Sequence, residues 1–140
     1  MPASGRTATI ETRVNQIGSQ LMSKKRIGAY GEEIAANYLR HNGYTVVATN
    51  WRCPRGELDI IAQDGDVLVF VEVKTRRTAD TSDAFLSVTP RKRQRLIDSA
   101  YSYIASHRPD NPQWRIDVVG IALPHSGQPL IEHVEDALDW

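Results

Sequence analysis

The chain is short of cysteine, of long apolar runs and of net charge, and each shortage excludes something. A single cysteine, Cys53, among 140 residues rules out an intramolecular disulfide and any cysteine-based zinc cluster, and fits a reducing compartment. No stretch approaches the roughly 20 apolar residues of a membrane span, and no basic start leads into the roughly 7–15 apolar residues of a secretory signal. The expectation is a protein without membrane contact, in the cytoplasm. Seventeen basic side chains balance seventeen acidic ones, which argues against a uniformly basic nucleic-acid binder.

What is present is ordinary in amount and uneven in placement. With 41% hydrophobic and 24% charged residues, the composition is that of a globular domain able to build one core. Residues 1–30 carry five basic groups against one acid, and residues 74–95 carry seven against two. Residues 110–140 reverse the sign, with six acids against Arg115 alone. Charge segregated along a chain is a statement about partners. A zero sum therefore confines binding to one local face.

Residues 1–22 are small, polar and without period, and read as a flexible tail; residues 23–140 read as one domain. From Gly28 to Asn42 the pattern is helical, with Ile34, Ala35, Ala36, Tyr38 and Leu39 in one arc and Gly43 as the stop. A strand is expected over Tyr44–Thr49, then a loop over Asn50–Gly56. Two runs, Glu57–Gln63 and Val67–Lys74, flank Asp64-Gly65, a hairpin signal. Thr75–Val88 reads as a loop or mobile flap. Thr89-Pro90 supplies an N-cap and a first-turn proline for a helix to about His107, with Leu96, Ile97, Ala100, Tyr101 and Ile104 inward. Strands over Arg115–Ala122 and Leu130–Val134 are separated by a turn at Gly127-Gln128-Pro129. The expected architecture is α/β: an α-β-β-β-α-β core in which helices flank a mixed β-sheet.

The hairpin carries the chemistry. A turn centred on Asp64-Gly65 sets Glu57 opposite Glu72, with Asp59 diagonal to Glu72. Alternation then sends Glu57, Asp59, Glu72 and Lys74 to one face, while Val69, Val71 and Val73 form core on the other. Like charges across a ladder are destabilising and need compensation. The first helix adds Glu32, which falls inside the apolar arc, where a carboxylate is costly unless paired or metal-bound. Oxygen donors without His or Cys suit Mg²⁺ or Mn²⁺. Such a site serves phosphodiester hydrolysis, in which metal ions polarise the phosphate and activate water while a lysine offsets charge. A Glu-x-Lys on a strand is commonly only an exposed ion pair. The nearly all-apolar run LVFVEVK argues instead for a central strand.

Gly31-Glu32, Gly43-Tyr44, Gly56-Glu57-Leu58-Asp59-Ile60 and Phe70-Val71-Glu72-Val73-Lys74 together resemble the YraN-like (UPF0102) family of uncharacterised bacterial proteins. Through it the chain resembles the PD-(D/E)XK nucleases, especially archaeal Holliday-junction resolvases, over roughly residues 26–138. The resemblance implies a restriction-endonuclease-like fold. It also implies a metal site made of Glu32, Asp59 and Glu72, with Asp59, Glu72 and Lys74 as the catalytic set. Glu57 has no fixed place in the motif and is expected to support the ligands without binding the ion. Leu58 stands where the motif has proline. The Gln-x-x-x-Tyr element of some branches is not met, since Asp98 follows Gln94 by four.

Arg76 and Arg77 directly after Lys74, with Arg91, Lys92, Arg93 and Arg95 at the start of the second helix, read as a phosphate-binding rim that positions nucleic acid without reading sequence. DNA is preferred over RNA as the partner, in structured or branched form. Junction resolution would need two sites and hence a homodimer. Trp51 reads as packing, and Cys53 as a bystander. The four histidines share no ligand-like spacing. Two other functions compete with a nuclease: a non-catalytic nucleic-acid-binding module on the same fold, and an interaction domain whose acids form structural ion pairs.

Overall fold

A computed structural model describes residues 23–78 and 89–138. The proposed tail (residues 1–22) and most of the proposed flap lie outside the described residues. The elements run α1 (Lys24–His41), β1 (Thr45–Cys53), β2 (Gly56–Asp64), β3 (Val67–Arg76), α2 (Pro90–His107), β4 (Gln113–Ala122) and β5 (Leu130–Val134). The five strands form one mixed sheet in sequence order. All neighbours are antiparallel except β3 and β4, which run parallel from Val67↔Gln113 to Arg76↔Ala122. A parallel pair needs a long crossover, and α2 lies within it. This is the mixed sheet flanked by helices that the sequence implied, consistent with a restriction-endonuclease-like core.

Both faces of the sheet are buried, each under one helix. Ala35, Ala36 and Leu39 of α1 pack with Val69, Val71, Val73, Val119 and Ile121. Leu96, Ala100 and Tyr103 of α2 pack with Ile61, Leu68, Phe70 and Ile116 on the opposite face. β3 is therefore central and apolar on both sides, as its LVFV run requires. Among the described residues no helix is long and apolar enough to cross a membrane.

Both helices begin on a hydroxyl. Ser23 Oγ accepts from Arg26 N–H at 3.3 Å, so α1 starts before the expected Gly28. Thr89 Oγ1 accepts from Lys92 N–H at 3.2 Å, with Pro90 in the first turn as expected. The α2 face needs correction. Tyr101 is 58% exposed, and the buried set is Leu96, Ser99, Ala100 and Tyr103. The inward stripe follows 96–99/100–103, which brings Tyr103 onto Phe70 at 5.8 Å and Trp51 at 5.3 Å. Trp51 is thus packing, as expected.

Three strand details depart from the sequence reading. First, the Asn50–Gly56 loop is mostly strand, because β1 continues to Cys53 and turns directly into β2. Second, Gly65 has φ +57 and stands first of two turn residues, Gly65-Asp66. Primed hairpin turns need a positive φ there. Asp64 accordingly pairs with Val67 and Ile60 with Val71, so the register is displaced by two residues and Glu57 does not oppose Glu72. Third, Leu58 joins the α2-side core while Ile60 joins the α1-side core. The expected strict alternation from Glu57 through Asp59 is therefore broken at Asp59. Across the β1–β2 ladder Asn50 has φ +52. Asparagine tolerates this left-handed backbone better than other non-glycine residues.

Candidate active site

β2 and β3 part company where the acids gather. Their ladder runs from Asp64↔Val67 to Ile60↔Val71 and stops there. One residue further, the carboxylate of Asp59 replaces the missing ladder partner. Its Oδ2 accepts the Val73 N–H at 2.9 Å. Glu72 is next to Val73, and Lys74 Nζ lies 3.0 Å from Glu72 Oε1, the pair only 12% and 15% exposed. Asp59, Glu72 and Lys74 thus meet at the split end of a central strand pair.

Glu32 reaches the same place from α1. Its helix can come close because Gly31 has no side chain. A Cβ at Gly31 would sit 1.8 Å from Thr75 Oγ1 and 2.8 Å from Thr75 Cβ. Glycine here sets the distance between α1 and β3, and therefore how near Glu32 stands to the β3 acids. Asn50, from the opposing twist in β1, stands near the Glu32 side chain and favours its charged form. Sequence reasoning missed Asn50 because it placed that residue in a loop. The available signal was an asparagine inside an otherwise strand-forming run.

The electrostatics show strain. Burial first, then the charges of Glu72 and Glu32, push the Asp59 carboxyl up to about 8, against the pull of the Val73 N–H. Burial also raises Glu32, opposed by Asn50 and reinforced by Glu57 and Glu72. Glu57 is more exposed and lies 3.7 Å from Arg52. It acts on the cluster by its field, beside Glu32 rather than across from Glu72.

Cations stand around these acids. An open cleft of about 640 Å³ has Glu32 and Lys24 on its α1 wall, and Lys74, Arg76 and Arg77 on its β3 wall. Thr75 also lines it, with its Oγ1 buried and lacking a hydrogen-bond partner. The charge of nearby Lys74 depresses the Lys92 ammonium below the ordinary lysine range. Arg91 and Arg95 are exposed on the same helix start but do not line the cleft. The structure therefore brings together Glu32, Asp59, Glu72, Lys74, Arg76 and Arg77, with Lys92 near enough to feel the charge of Lys74 but outside the cleft lining, and leaves Arg91 and Arg95 on the adjoining surface.

The donors present are carboxylate oxygens, the chemistry that suits Mg²⁺ or Mn²⁺. Three acids repelling one another beside one ammonium have an excess of negative charge that a divalent ion would offset. Among the described residues, however, no three His, Cys, Asp or Glu side chains are drawn together into a ready metal cage. Glu72 Oε1 is turned to Lys74. The residues fit a divalent ion by donor type and charge.

A second set of charged side chains, not anticipated from the sequence, lies under the C-terminal half of α1. Asp117 is fully buried. Its oxygens accept from Arg115 Nε at 2.9 Å and Asp136 N–H at 3.0 Å, and His133 Nε2 lies at 2.7 Å. Arg115 also donates to Tyr44 Oη and Asp64, and Tyr38 Oη meets His133 Nδ1 at 3.1 Å. These partners outweigh burial and hold the Asp117 carboxyl below the usual carboxylate range. No local spacing could reveal them, because they come from α1, β2, β4 and β5.

A family profile described as "Uncharacterised protein family UPF0102" matches residues 31–121, the span from Gly31 to Ile121. The chain is 44% identical over 116 residues to a UPF0102 protein of Dehalococcoides mccartyi, covering 83% of this chain and 95% of that one. It is 47% identical over 119 residues to one of Roseiflexus castenholzii, covering 83% and 95%. A UPF0102 protein of Streptomyces coelicolor is 46% identical over 118 residues, covering 83% and 91%. None of these names carries an activity.

Proposed function

The chain belongs to the uncharacterised protein family UPF0102, and we propose that it is a divalent-metal-dependent phosphodiester hydrolase acting on nucleic acid, structured or branched DNA before RNA. One observation carries this reading. A carboxyl group pushed up to about 8 by burial and by two neighbouring acids sits next to a lysine–glutamate pair, beside a cleft lined by Lys24, Lys74, Arg76 and Arg77. Strongly perturbed titratable groups at a cleft mark candidate catalytic sites.

Glu32, Asp59 and Glu72 would hold Mg²⁺ or Mn²⁺, which supplies Lewis acidity toward a phosphate oxygen and a water molecule. Asp59 is fixed for that role by the Val73 N–H. Asn50 favours the ionised form of Glu32 from the other side. Lys74, released from Glu72, would orient the attacking water or offset charge growing on the phosphate. Arg76, Arg77 and Lys92 would hold flanking phosphates.

A second reading, a non-catalytic nucleic-acid-binding module, draws on the Lys74–Glu72 pair, which already satisfies one acid without metal. Incubation with Mn²⁺ and labelled branched, flapped and linear substrates, beside Asp59→Asn and Glu72→Gln, separates the two. Cleavage by the wild type alone supports the hydrolase. Salt-sensitive binding without cleavage, equal in all three proteins, overturns it in favour of the module.

A further inference from the structure

The outer flank of α2 carries an aromatic ridge that the hydrolytic site does not use. Tyr101 is 58% exposed, yet its ring is braced edge-on by Trp114, with centroids 5.3 Å apart. Trp114 in turn rests on buried Phe70 at 5.8 Å. An exposed aromatic ring fixed in this way loses little freedom when something stacks on it. On one side of the ridge, Ile97, Tyr101 and Trp114 wall a shallow pocket of about 420 Å³, with Arg115 and Asp136 at its rim. On the other side a pocket of about 290 Å³ sets Arg55 beside Tyr101, Asp98 and Ser102. Asp98 is engaged by Gln94 at 3.0 Å.

The β1–β2 turn is what puts Arg55 there. It presses against α2 so closely that a Cβ on Gly56 would meet Ser99 Oγ at 3.0 Å and Arg95 Cβ at 3.8 Å. Arg55 from the turn therefore borders the ridge, and Arg95 of α2 packs against the same turn.

We infer that this flank of α2 binds an unpaired nucleotide of a nucleic-acid strand, its base stacked on the exposed ring of Tyr101 with its edge toward Trp114, and the neighbouring phosphates on Arg55 and Arg95. The face of a braced tyrosine ring selects another planar ring, and guanidiniums beside it select phosphates. A nucleic-acid strand offers both. A base inside a duplex is already stacked on its neighbours, so the ligand is single-stranded at this point. An apolar side chain from a protein partner would fill the pocket and leave the arginines unused. The inference rests on the nucleic-acid reading of the cleft and narrows the substrate to one with a single-stranded arm.

Binding measured in EDTA separates this surface from the chemistry. The probes are a labelled 15-nucleotide single strand and the blunt duplex of the same sequence, titrated with the full chain. The wild type is expected to bind the single strand with quenching of tryptophan emission. Tyr101→Ala should weaken that binding about tenfold and change duplex binding by less than about twofold, while Tyr101→Phe retains wild-type affinity. An unchanged unfolding midpoint in Tyr101→Ala verifies the fold. Equal single-strand affinity of Tyr101→Ala and the wild type overturns the inference, as does an equal loss on both probes or no single-strand binding by the wild type. Tyr101-dependent binding without Mn²⁺-dependent cleavage sinks only the hydrolase. Cleavage that is indifferent to Tyr101 and to single-stranded arms sinks only the inference.

Discussion

Asp59 and Asp117 are the same residue type on neighbouring parts of one sheet, and their surroundings push them in opposite directions. Asp117 has Arg115, His133 and a backbone N–H for its two oxygens, and its carboxyl is held low. Asp59 has one backbone N–H and two acids for company, and its carboxyl is pushed up to about 8. A carboxylate that stabilises a fold is surrounded by donors. One that is buried among other acids costs stability and marks a place where something positive belongs. The difference separates a structural network from a candidate site without reference to any relative.

Substitutions can break that comparison. The largest expected effect is on cleavage. Asp59→Asn should lower Mn²⁺-dependent turnover about 10⁴-fold, roughly 5 kcal/mol of barrier, read in single-turnover assays. In EDTA the same variant should unfold at a higher temperature than the wild type, because folding no longer has to force a proton onto this side chain. Asp117→Ala should do the reverse. It leaves Arg115 and His133 without their buried partner and should cost about 3–5 kcal/mol in urea unfolding. If Asp117→Ala is silent and Asp59→Asn is the one that unfolds, the two regions have been assigned the wrong way round.

Acidity sharpens the same contrast. Folded Asp59 keeps its proton to about pH 8, whereas an unfolded aspartate loses it near 3.9. Its contribution to stability is therefore full below about pH 4 and is lost as pH rises toward 8. Asp117, held low, contributes above about pH 4 and loses its contribution as pH falls through its folded value. Urea unfolding in EDTA should show wild-type stability declining between pH 6 and 8, and that decline should flatten in Asp59→Asn. A smaller effect, about 1–3 kcal/mol, is expected for Gly31→Ala, whose methyl group collides with Thr75. By moving α1 it should also weaken metal binding through Glu32. Thr89→Ala, which removes only the α2 cap, should cost about 1 kcal/mol and leave metal binding unchanged.

Local signals in the sequence were legible where local physics decides the outcome. Thr89-Pro90 placed the start of α2, and the apolar LVFV run placed β3 at the centre. Glu32 could be found because one acid interrupts an apolar helical arc. The hairpin was recognisable, but its register depended on which residue takes the positive φ. Centring the turn one residue too early displaced the pairing by two, so Glu57 was set wrongly against Glu72. The twist at Asn50 had only the asparagine itself as a signal, and an asparagine reads equally well as the start of a loop. The Asp117 network was illegible for a different reason. His133 and Tyr38 are far apart in the chain, and only the completed sheet brings them together. Tyr101 and Tyr103 are two positions apart on α2, and the helical wheel placed the wrong one inward.

Calorimetric titration of the full chain with Mn²⁺ at pH 7, in two buffers of different ionisation enthalpy, tests the candidate site most directly. Binding with release of about one proton, as Asp59 gives up the proton that its neighbours force on it, is the expected result. In Asp59→Asn the binding should weaken and the proton release disappear. No Mn²⁺ binding by the wild type, or equally tight binding by Asp59→Asn, would contradict the assignment of these acids as a metal site.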